Sequence, residues 1–307
     1  MASNSRPDIS VIVLTYNTLQ LTRVCLHALY SSCTSGKLSI EIIVVDNAST
    51  DHSVECLQAE FPTAQFIVNS SNLGFSRGNN IGLQVAQGRY LMLLNSDTEV
   101  HPGALETLVA FMDEHPAAGA CGPMLINSDG TLQPSGRALP SIWSAFIGMT
   151  KLYRLWKRDF YLQPGRDYAR VTQVGELSGA ALLVRREAYQ KVGGLDPNLF
   201  AYYEDVDWCA QIGQAGYAIY YVPSAQVMHK WKGTSTSVSE LSYRAGQDSQ
   251  RYYFAKHHGP FAHRAIQGLL LLKECAMIVA GFLRRNRLDV QFHRKMLANV
   301  LTPIIHL

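Results

Sequence analysis

The sequence contains no Cys-x-x-Cys pair, no Gly-x-Gly-x-x-Gly, no Gly-x-x-x-x-Gly-Lys-Ser/Thr, no internal repeat and no low-complexity tract. Each absence removes a class of protein. Six cysteines (Cys25, Cys33, Cys56, Cys121, Cys209, Cys275), unpaired in spacing and without a nearby His at finger distance, argue against a zinc module or a dense disulfide framework and read as reduced thiols. Gly74, Gly78 and Gly82 have the wrong spacing for a dinucleotide fingerprint, so a hydride-transferring Rossmann enzyme and a P-loop ATPase are poor fits. Charge is scarce at 17%, and 27 Lys+Arg against 24 Asp+Glu leave only +3, too little for a chain-wide grip on nucleic acid. The amino terminus, MASNSRPDIS, lacks an apolar stretch of signal-peptide length, so a cytoplasmic location is expected.

What is present is apolar. The 307 residues are 47% hydrophobic, enough for one large domain with an appendage or for two small domains. Apolar runs at Ile9 to Leu14, Ile40 to Val45, Gln65 to Val68 and Tyr90 to Leu94 alternate with helical spacing at Gln20 to Tyr30, Ser53 to Phe61 and Gly78 to Gln87. Fully apolar strands alternating with helices predict a parallel α/β sheet covered on both faces. Further on, Ala104 to Glu114, Arg186 to Val192 and Asp205 to Ala215 read as helices, Leu177 to Val184 and Ile219 to Val222 as strands, and the chain is helical again from about Leu241. Ligands of such sheets sit beyond the carboxyl ends of the strands, where Asn17, Asp46 and Asp97 fall.

Acids and amides at these ends carry the chemistry. Asp97, in Asn95-Ser96-Asp97, reads on its own as a turn or helix cap before it reads as a carboxylate for a hard divalent cation bridging two phosphates. Asp46 carries the same two readings, a turn or cap on one side and a buried carboxylate accepting the N–H of a pyrimidine base on the other. In Glu204-Asp205-Val206-Asp207-Trp208 the acids either cap a helix, whose dipole favours them, or supply a general base beside aromatic walls. His229, after a strand-like stretch, is either an ordinary half-buried histidine or a ligand.

In order, Val13-Leu14-Thr15-Tyr16-Asn17, Val44-Val45-Asp46-Asn47-Ala48-Ser49-Thr50-Asp51, Asn72-Leu73-Gly74-Phe75-Ser76-Arg77-Gly78-Asn79-Asn80, Leu93-Leu94-Asn95-Ser96-Asp97, Gly179 to Arg186, Glu204 to Trp208 and His229 resemble the family 2 glycosyltransferases, in particular their bacterial rhamnosyltransferase branch. The resemblance covers about Ile9 to Thr236. It implies a GT-A fold and inverting transfer of a sugar, with dTDP-rhamnose as leading donor, onto a glycan built on a polyprenyl diphosphate. It places Thr15, Tyr16, Asn17, Asp46, Arg77, Asn95 and Ser96 on the donor. Asp97 and His229 fall on Mg2+ or Mn2+, Asp205 as catalytic base, and Glu204, Gly179 and Trp208 on the acceptor side. Asn95 stands where the family's DxD motif has its first acid and brings no charge. A nucleotide-sugar-binding partner without turnover is the rival reading, and Tyr153, Trp156 and Tyr161 either pack a loop on the sheet or line the acceptor pocket.

The expected division is a GT-A catalytic domain over 1–250 and a helical tail over 251–307. From Arg251 onward nine Lys/Arg face two acids, a local +7 that leaves −4 for the rest. Ala265 to Leu283 is apolar apart from Gln267, Lys273 and Glu274. Central charges cost roughly 2.5 to 3.5 kcal/mol each on an insertion scale, which argues against a clean transmembrane span. A helix lying on an anionic membrane surface is expected, with packing on the catalytic domain or on a second subunit of a homo-oligomer as the alternative.

Overall fold

A computed structural model describes residues 6–32, 36, 38–150, 167–230 and 240–303. Cys33, Tyr153, Trp156 and Tyr161 lie outside the described residues. In chain order the elements begin β1 (Ile9–Thr15), α1 (Leu19–Ser32), β2 (Ile40–Asp46), α2 (Ser53–Glu60), β3 (Gln65–Val68), α3 (Gly74–Val85), β4 (Tyr90–Asn95) and β5 (Thr98–Val100). Then follow α4 (Ala104–Glu114), β6 (Ala118–Ile126), β7 (Leu132–Gln133), α5 (Ile142–Thr150), β8 (Thr172–Val174), β9 (Ala181–Arg185) and α6 (Arg186–Val192). The chain ends with α7 (Glu204–Gln214), β10 (Ala218–His229), α8 (Glu240–Leu283) and α9 (Arg287–Leu301). Two compact units result: the first is 1–137, 167–197 and 205–236, the second 138–166, 198–204 and 237–307.

The first unit holds a mixed sheet of order β3-β2-β1-β4-β9-β6-β10-β5, with β7 beside β6 and β8 beside β10. The parallel arrangement expected from the sequence holds for β3, β2, β1 and β4. It fails at β9, which runs antiparallel to both β4 and β6. A continuous apolar run reports burial on both faces and is silent about direction. Along each central strand, alternate residues divide between two cores, as a two-residue repeat requires. Ile9, Val11 and Val13 join Leu26 and Leu29 of α1 and Leu105, Leu108 and Met112 of α4. Ile12 joins Leu83 of α3, Ala188 of α6 and Trp208 and Ile212 of α7.

Two elements depart from their expected limits. Helix α3 begins at Gly74, four residues early, because the Asn72 side chain accepts the Gly74 N–H at 2.9 Å and starts the turn. Strand β6 escapes a propensity reading because Gly119, Gly122 and Pro123 interrupt it. Gly122 is small for a reason: a Cβ there would stand 3.1 Å from Leu177 Cδ2.

The second unit is α-helical. Helix α8 runs through residue 250 and breaks at Gly259 (φ 79°) and Pro260, while α9 folds back on it after Arg285 (φ 55°). Asn286 caps α9 by accepting the Asp289 N–H at 3.2 Å. Glu274, in the apolar run, points inward and is fully buried. It accepts from Tyr243 Oη at 2.9 Å and Gln247 Nε2 at 3.1 Å, and meets His293 Nδ1 at 2.6 Å.

Helix α3 lies directly on β1. A Cβ at Gly82 would come within 2.5 Å of Ile12 Cγ2, and one at Gly78 within 2.5 Å of Leu14 Cδ1. Gly82→Leu is therefore expected to lower stability by about 1–3 kcal/mol through overpacking, despite the helix-propensity gain of about 1 kcal/mol. Urea unfolding measures it, and an unchanged or raised midpoint would refute the close-contact account.

Candidate active site

Register aligns the candidate residues before any side chain is considered. Thr15 pairs with Asp46 across β1 and β2, and Leu14 with Asn95 across β1 and β4, so the three motif-bearing strands end at one edge.

The turns after β1 and β2 are zipped together by side chains. Asn17, in the left-handed region at φ 52°, donates its backbone N–H to Ser49 Oγ at 2.8 Å and accepts the Thr50 N–H on Oδ1 at 2.7 Å. Asp51 accepts the Leu19 N–H at 3.0 Å, tying the same loop to the start of α1. Asp46 is 1% exposed; its Oδ2 accepts the Ser49 N–H at 2.9 Å, and its buried Oδ1 has no partner among the described residues. An orphaned carboxylate oxygen in such a position has a lone pair left for a water or for a donor from outside the chain. Tyr16 stands beside it with its side chain exposed. Below, Asn47 accepts from Asn69 Nδ2 at 2.9 Å and donates to Gly74 O at 3.0 Å, fixing α3 against β2.

Thr15 and Ser96 turn the other way. The Thr15 hydroxyl is buried against Thr18 at 2.9 Å and Thr22 at 2.8 Å, and Ser96 Oγ lies 3.3 Å from Thr18 Oγ1. The resemblance puts both on the donor; their side chains instead brace the loop from beneath, because the pleat that sends Ile12 and Leu14 one way sends Thr15 the other. Arg77 is exposed on α3 and donates Nε to Pro197 O at 3.0 Å.

At the end of β4, Asn95, Asp97 and His229 converge. The antiparallel pairing of β5 with β10 sets His229 opposite Thr98, and Lys230 N donates to Asp97 O at 2.9 Å. His229 Nε2 is 3.3 Å from Asp97 Oδ1 and 3.5 Å from Asn95 Nδ2, and both the Asp97 and His229 side chains are nearly buried. Its other nitrogen, Nδ1, meets Gln133 Oε1 at 2.6 Å. An amide oxygen only accepts, so Nδ1 donates to Gln133, and Nε2 is the nitrogen that faces Asp97. Gln133 is in turn held by Asn127 Oδ1 at 3.0 Å across the β6–β7 turn. Sequence reasoning misses Gln133, whose two-residue strand carries no pattern.

Among the described residues no group of three or more His, Cys, Asp or Glu stands together to hold a metal unaided. One carboxylate and one imidazole whose far nitrogen is hydrogen-bonded nevertheless fit a hard divalent cation that takes its remaining oxygens from a diphosphate and water.

Asp205, in the first turn of α7, accepts the Gly179 N–H on Oδ2 and the Val206 N–H on Oδ1, both at 2.8 Å. Burial pushes its carboxyl above the ordinary range, against the pull of these donors and of the Arg137 charge. Gly179 leaves room beside it: a Cβ would only reach ordinary contact with Asp205 and Phe75. The next residue, Ala180, accepts the Asn95 N–H at 3.0 Å, so one loop touches both the carboxylate and the end of β4. Trp208 corrects an expectation. It is fully buried, with Nε1 donating to Gly193 O at 2.8 Å, and belongs to the core rather than to an acceptor wall, because its place one turn into α7 faces the sheet. Glu204 opens the same helix with its side chain buried.

Residues 10–193 match the model of glycosyl transferase family 2. The chain belongs to that family. It is a glycosyltransferase with a GT-A fold, which sets the binding-only reading aside. N-acetylglucosaminyl-diphospho-decaprenol L-rhamnosyltransferase of Mycobacterium tuberculosis is 31% identical over 273 residues, 81% of this chain and 86% of the relative. The uncharacterized glycosyltransferase YibD of Escherichia coli is 27% identical over 258 residues, 81% of this chain and 68% of the relative. Among solved structures, the mannosyltransferase PcManGT of Pyrobaculum calidifontis, in complex with GDP-Man and Mn2+, has a TM-score of 0.55 at 16% identity, covering 97% of this chain and 86% of its own. GalNAc-T7 with UDP, GalNAc and Mn2+ has a TM-score of 0.57 at 18% identity, covering 82% of this chain; the match spans about half (51%) of the larger protein.

The left-handed Asn17 gives a local test. Asn17→Ala is expected to cost about 1–3 kcal/mol, combining left-handed strain of about 1–2 with the loss of an exposed acceptor that holds the Thr50 N–H. Asn17→Gly should recover only the backbone part. Equal unfolding midpoints for wild type and Asn17→Ala would show that the two turns are not locked in this way.

Proposed function

We propose that this glycosyltransferase moves rhamnose from dTDP-rhamnose, with inversion, onto a glycan carried by a polyprenyl diphosphate, using Mg2+ or Mn2+. The observation that carries it is the 179–180 loop, whose adjacent backbone groups hold Asp205 on one side and the end of β4, leading to Asp97 and His229, on the other. The mycobacterial relative's name supports the sugar and the lipid-linked acceptor. The unpartnered Asp46 Oδ1 suits the N3–H of a thymine ring, and the exposed Tyr16 suits its face. Asn17 holds the loop on which that base rests.

Displacement at an anomeric carbon needs a base for the acceptor hydroxyl and positive charge at the leaving diphosphate. Asp205 takes the hydroxyl proton as the oxygen attacks; its raised pKa makes it a stronger base than a surface carboxylate. Asp97 and His229 would hold the cation, which when bound neutralises the leaving diphosphate, while Asn95 orients without adding charge. Gln133 keeps the His229 ring turned. The catalytic domain is assigned to the first unit, because a boundary at residue 250 would cut through α8, with the enzyme at the cytoplasmic face of the membrane.

Asp205→Asn is expected to reduce transfer by about 10² or more with donor affinity nearly unchanged, since an amide cannot take the proton. In the wild type, the rate should fall as pH drops through a pKa above the ordinary carboxylate range, because only the ionised form is basic. More than a tenth of the turnover surviving in the variant, or an acid limb at an ordinary carboxylate position, would exclude Asp205 as the base.

Calorimetric titration of dTDP in Mn2+ and in chelator tests the other half of the site. Asp97→Ala should remove the metal-dependent gain, His229→Ala should reduce it, and Gln133→Leu should weaken it by about 10–100-fold while leaving the chelator titration alone. A residue whose replacement leaves the Mn2+ titration unchanged does not belong to the metal site.

A further inference from the structure

The run Ala265 to Leu283 of α8 is apolar nearly all round, yet only one side of it is used within the second unit. Ala262, Ile266, Leu270, Glu274 and Gly281 are buried. At about 100° per residue these share one half of the helix, and Phe261, Leu272, Val279 and Leu283 line up on the other. That outer row is bare, with Phe261 79%, Leu272 69% and Leu283 82% exposed. Phe282 and, just past the turn, Leu288 extend it. A contiguous apolar face of this length on a soluble surface marks an interaction site.

Charge says what covers it. Arg264 borders the row at one end, and Arg284, Arg285 and Arg287 crowd the turn at the other, all exposed. The one acid within the run, Glu274, is turned inward onto Tyr243, Gln247 and His293. Lys273 lies with its ammonium 4.9 Å from the Tyr243 ring centroid. A second copy of the chain is a poor occupant: antiparallel pairing of two such rows sets Arg264 against Arg284 and Arg285, parallel pairing sets like turns together, and no acid of the row answers them. An anionic bilayer surface meets both requirements, apolar depth for the row and phosphate for the arginines.

We infer that the outer face of α8, from Phe261 to Leu283, together with the arginine-rich α8–α9 turn, is the membrane-docking surface of this protein, the helix lying in the plane of an anionic interface. This deepens the peripheral location proposed above and rests on that reading, but not on the identity of donor, acceptor or cation.

Full-length protein is tested by flotation with phosphatidylcholine vesicles and with vesicles of phosphatidylcholine and phosphatidylglycerol. Wild type should float with the anionic vesicles, be partly released by high salt, and bind neutral ones weakly. The double variant Leu272→Glu/Leu283→Glu should lose binding by tenfold or more, and Arg284→Gln/Arg285→Gln/Arg287→Gln should lose the preference for anionic lipid. Both should keep the wild-type circular dichroism and donor hydrolysis. Phe282→Trp, which keeps the face apolar, should show an emission blue shift on anionic vesicles that wild type does not. Wild type that ignores anionic vesicles at low salt overturns the peripheral location and this surface together. Wild type that floats while the Leu272→Glu/Leu283→Glu variant floats equally, or emission of the Phe282→Trp variant that does not move, overturns this surface alone. Sedimentation showing a dimer that the same glutamates dissolve, without flotation, would assign the face to a second copy.

Discussion

Two neighbouring backbone groups hold the carboxyl edge of the sheet in register with the α7 carboxylate. The Gly179 N–H and the Ala180 carbonyl come just before β9, one bonded to Asp205 and the other to the Asn95 N–H. They can do this only because β9 is reversed. In the antiparallel pairing Ala181 lies opposite Leu94, so the start of β9 sits at the carboxyl end of β4, where a parallel neighbour would bring its own end and a departing helix. The carboxylate on α7 is thereby referred to the sheet through one dipeptide rather than through a chain of side-chain packing. Backbone bonds of this kind fix position without the rotamer freedom that long side chains must lose.

Much of this architecture is legible in the sequence, and the parts that are not share a cause. The apolar runs of β1, β2 and β4, and the polar residues that end them, locate the edge because burial on both faces leaves no other place for Asp46 or Asp97. Helices α4 and α6 have the expected limits because their periodicity is bounded by Gly103 and His115, and by Arg185 and Gly193. What is lost is direction. Nothing in Leu182-Leu183-Val184 distinguishes a parallel from an antiparallel strand. Nothing in Thr15 or Ser96 says that its hydroxyl faces Thr18 rather than a ligand. Trp208 reads as an aromatic wall until the helix phase turns it onto the sheet. Gln133 is illegible for another reason: its partner is His229, 96 positions away in sequence, and its own segment has neither periodicity nor composition to mark it.

The same distinction applies to the helical unit. Lys273 and Glu274 argue against a span because charge in an apolar run is costly, and that argument is sound for a helix surrounded by lipid. The fold answers the cost differently. It turns Glu274 onto three polar partners and spreads the Lys273 stem toward an aromatic ring, so the charge faces protein and the apolar remainder faces out. Composition alone records one hydrophobic helix; phase separates it into a packed face and a bare one.

Asn95 shows how a single replacement shifts demand within a site. On the proposed reading, the strand end offers one carboxylate where related enzymes offer two, and a cation held by less negative charge depends more on geometry. The structure supplies geometry at the remaining donors. His229 is anchored on a strand by β5–β10 pairing and by Gln133, Gln133 is anchored by Asn127 across a tight turn, and Asp97 has its own carbonyl bonded to Lys230 N. Rigid donors lose little entropy when an ion arrives, and the ion's remaining charge is then met by the diphosphate itself. On that proposal the site holds a cation weakly alone and firmly with nucleotide, which would couple metal occupancy to the presence of the donor.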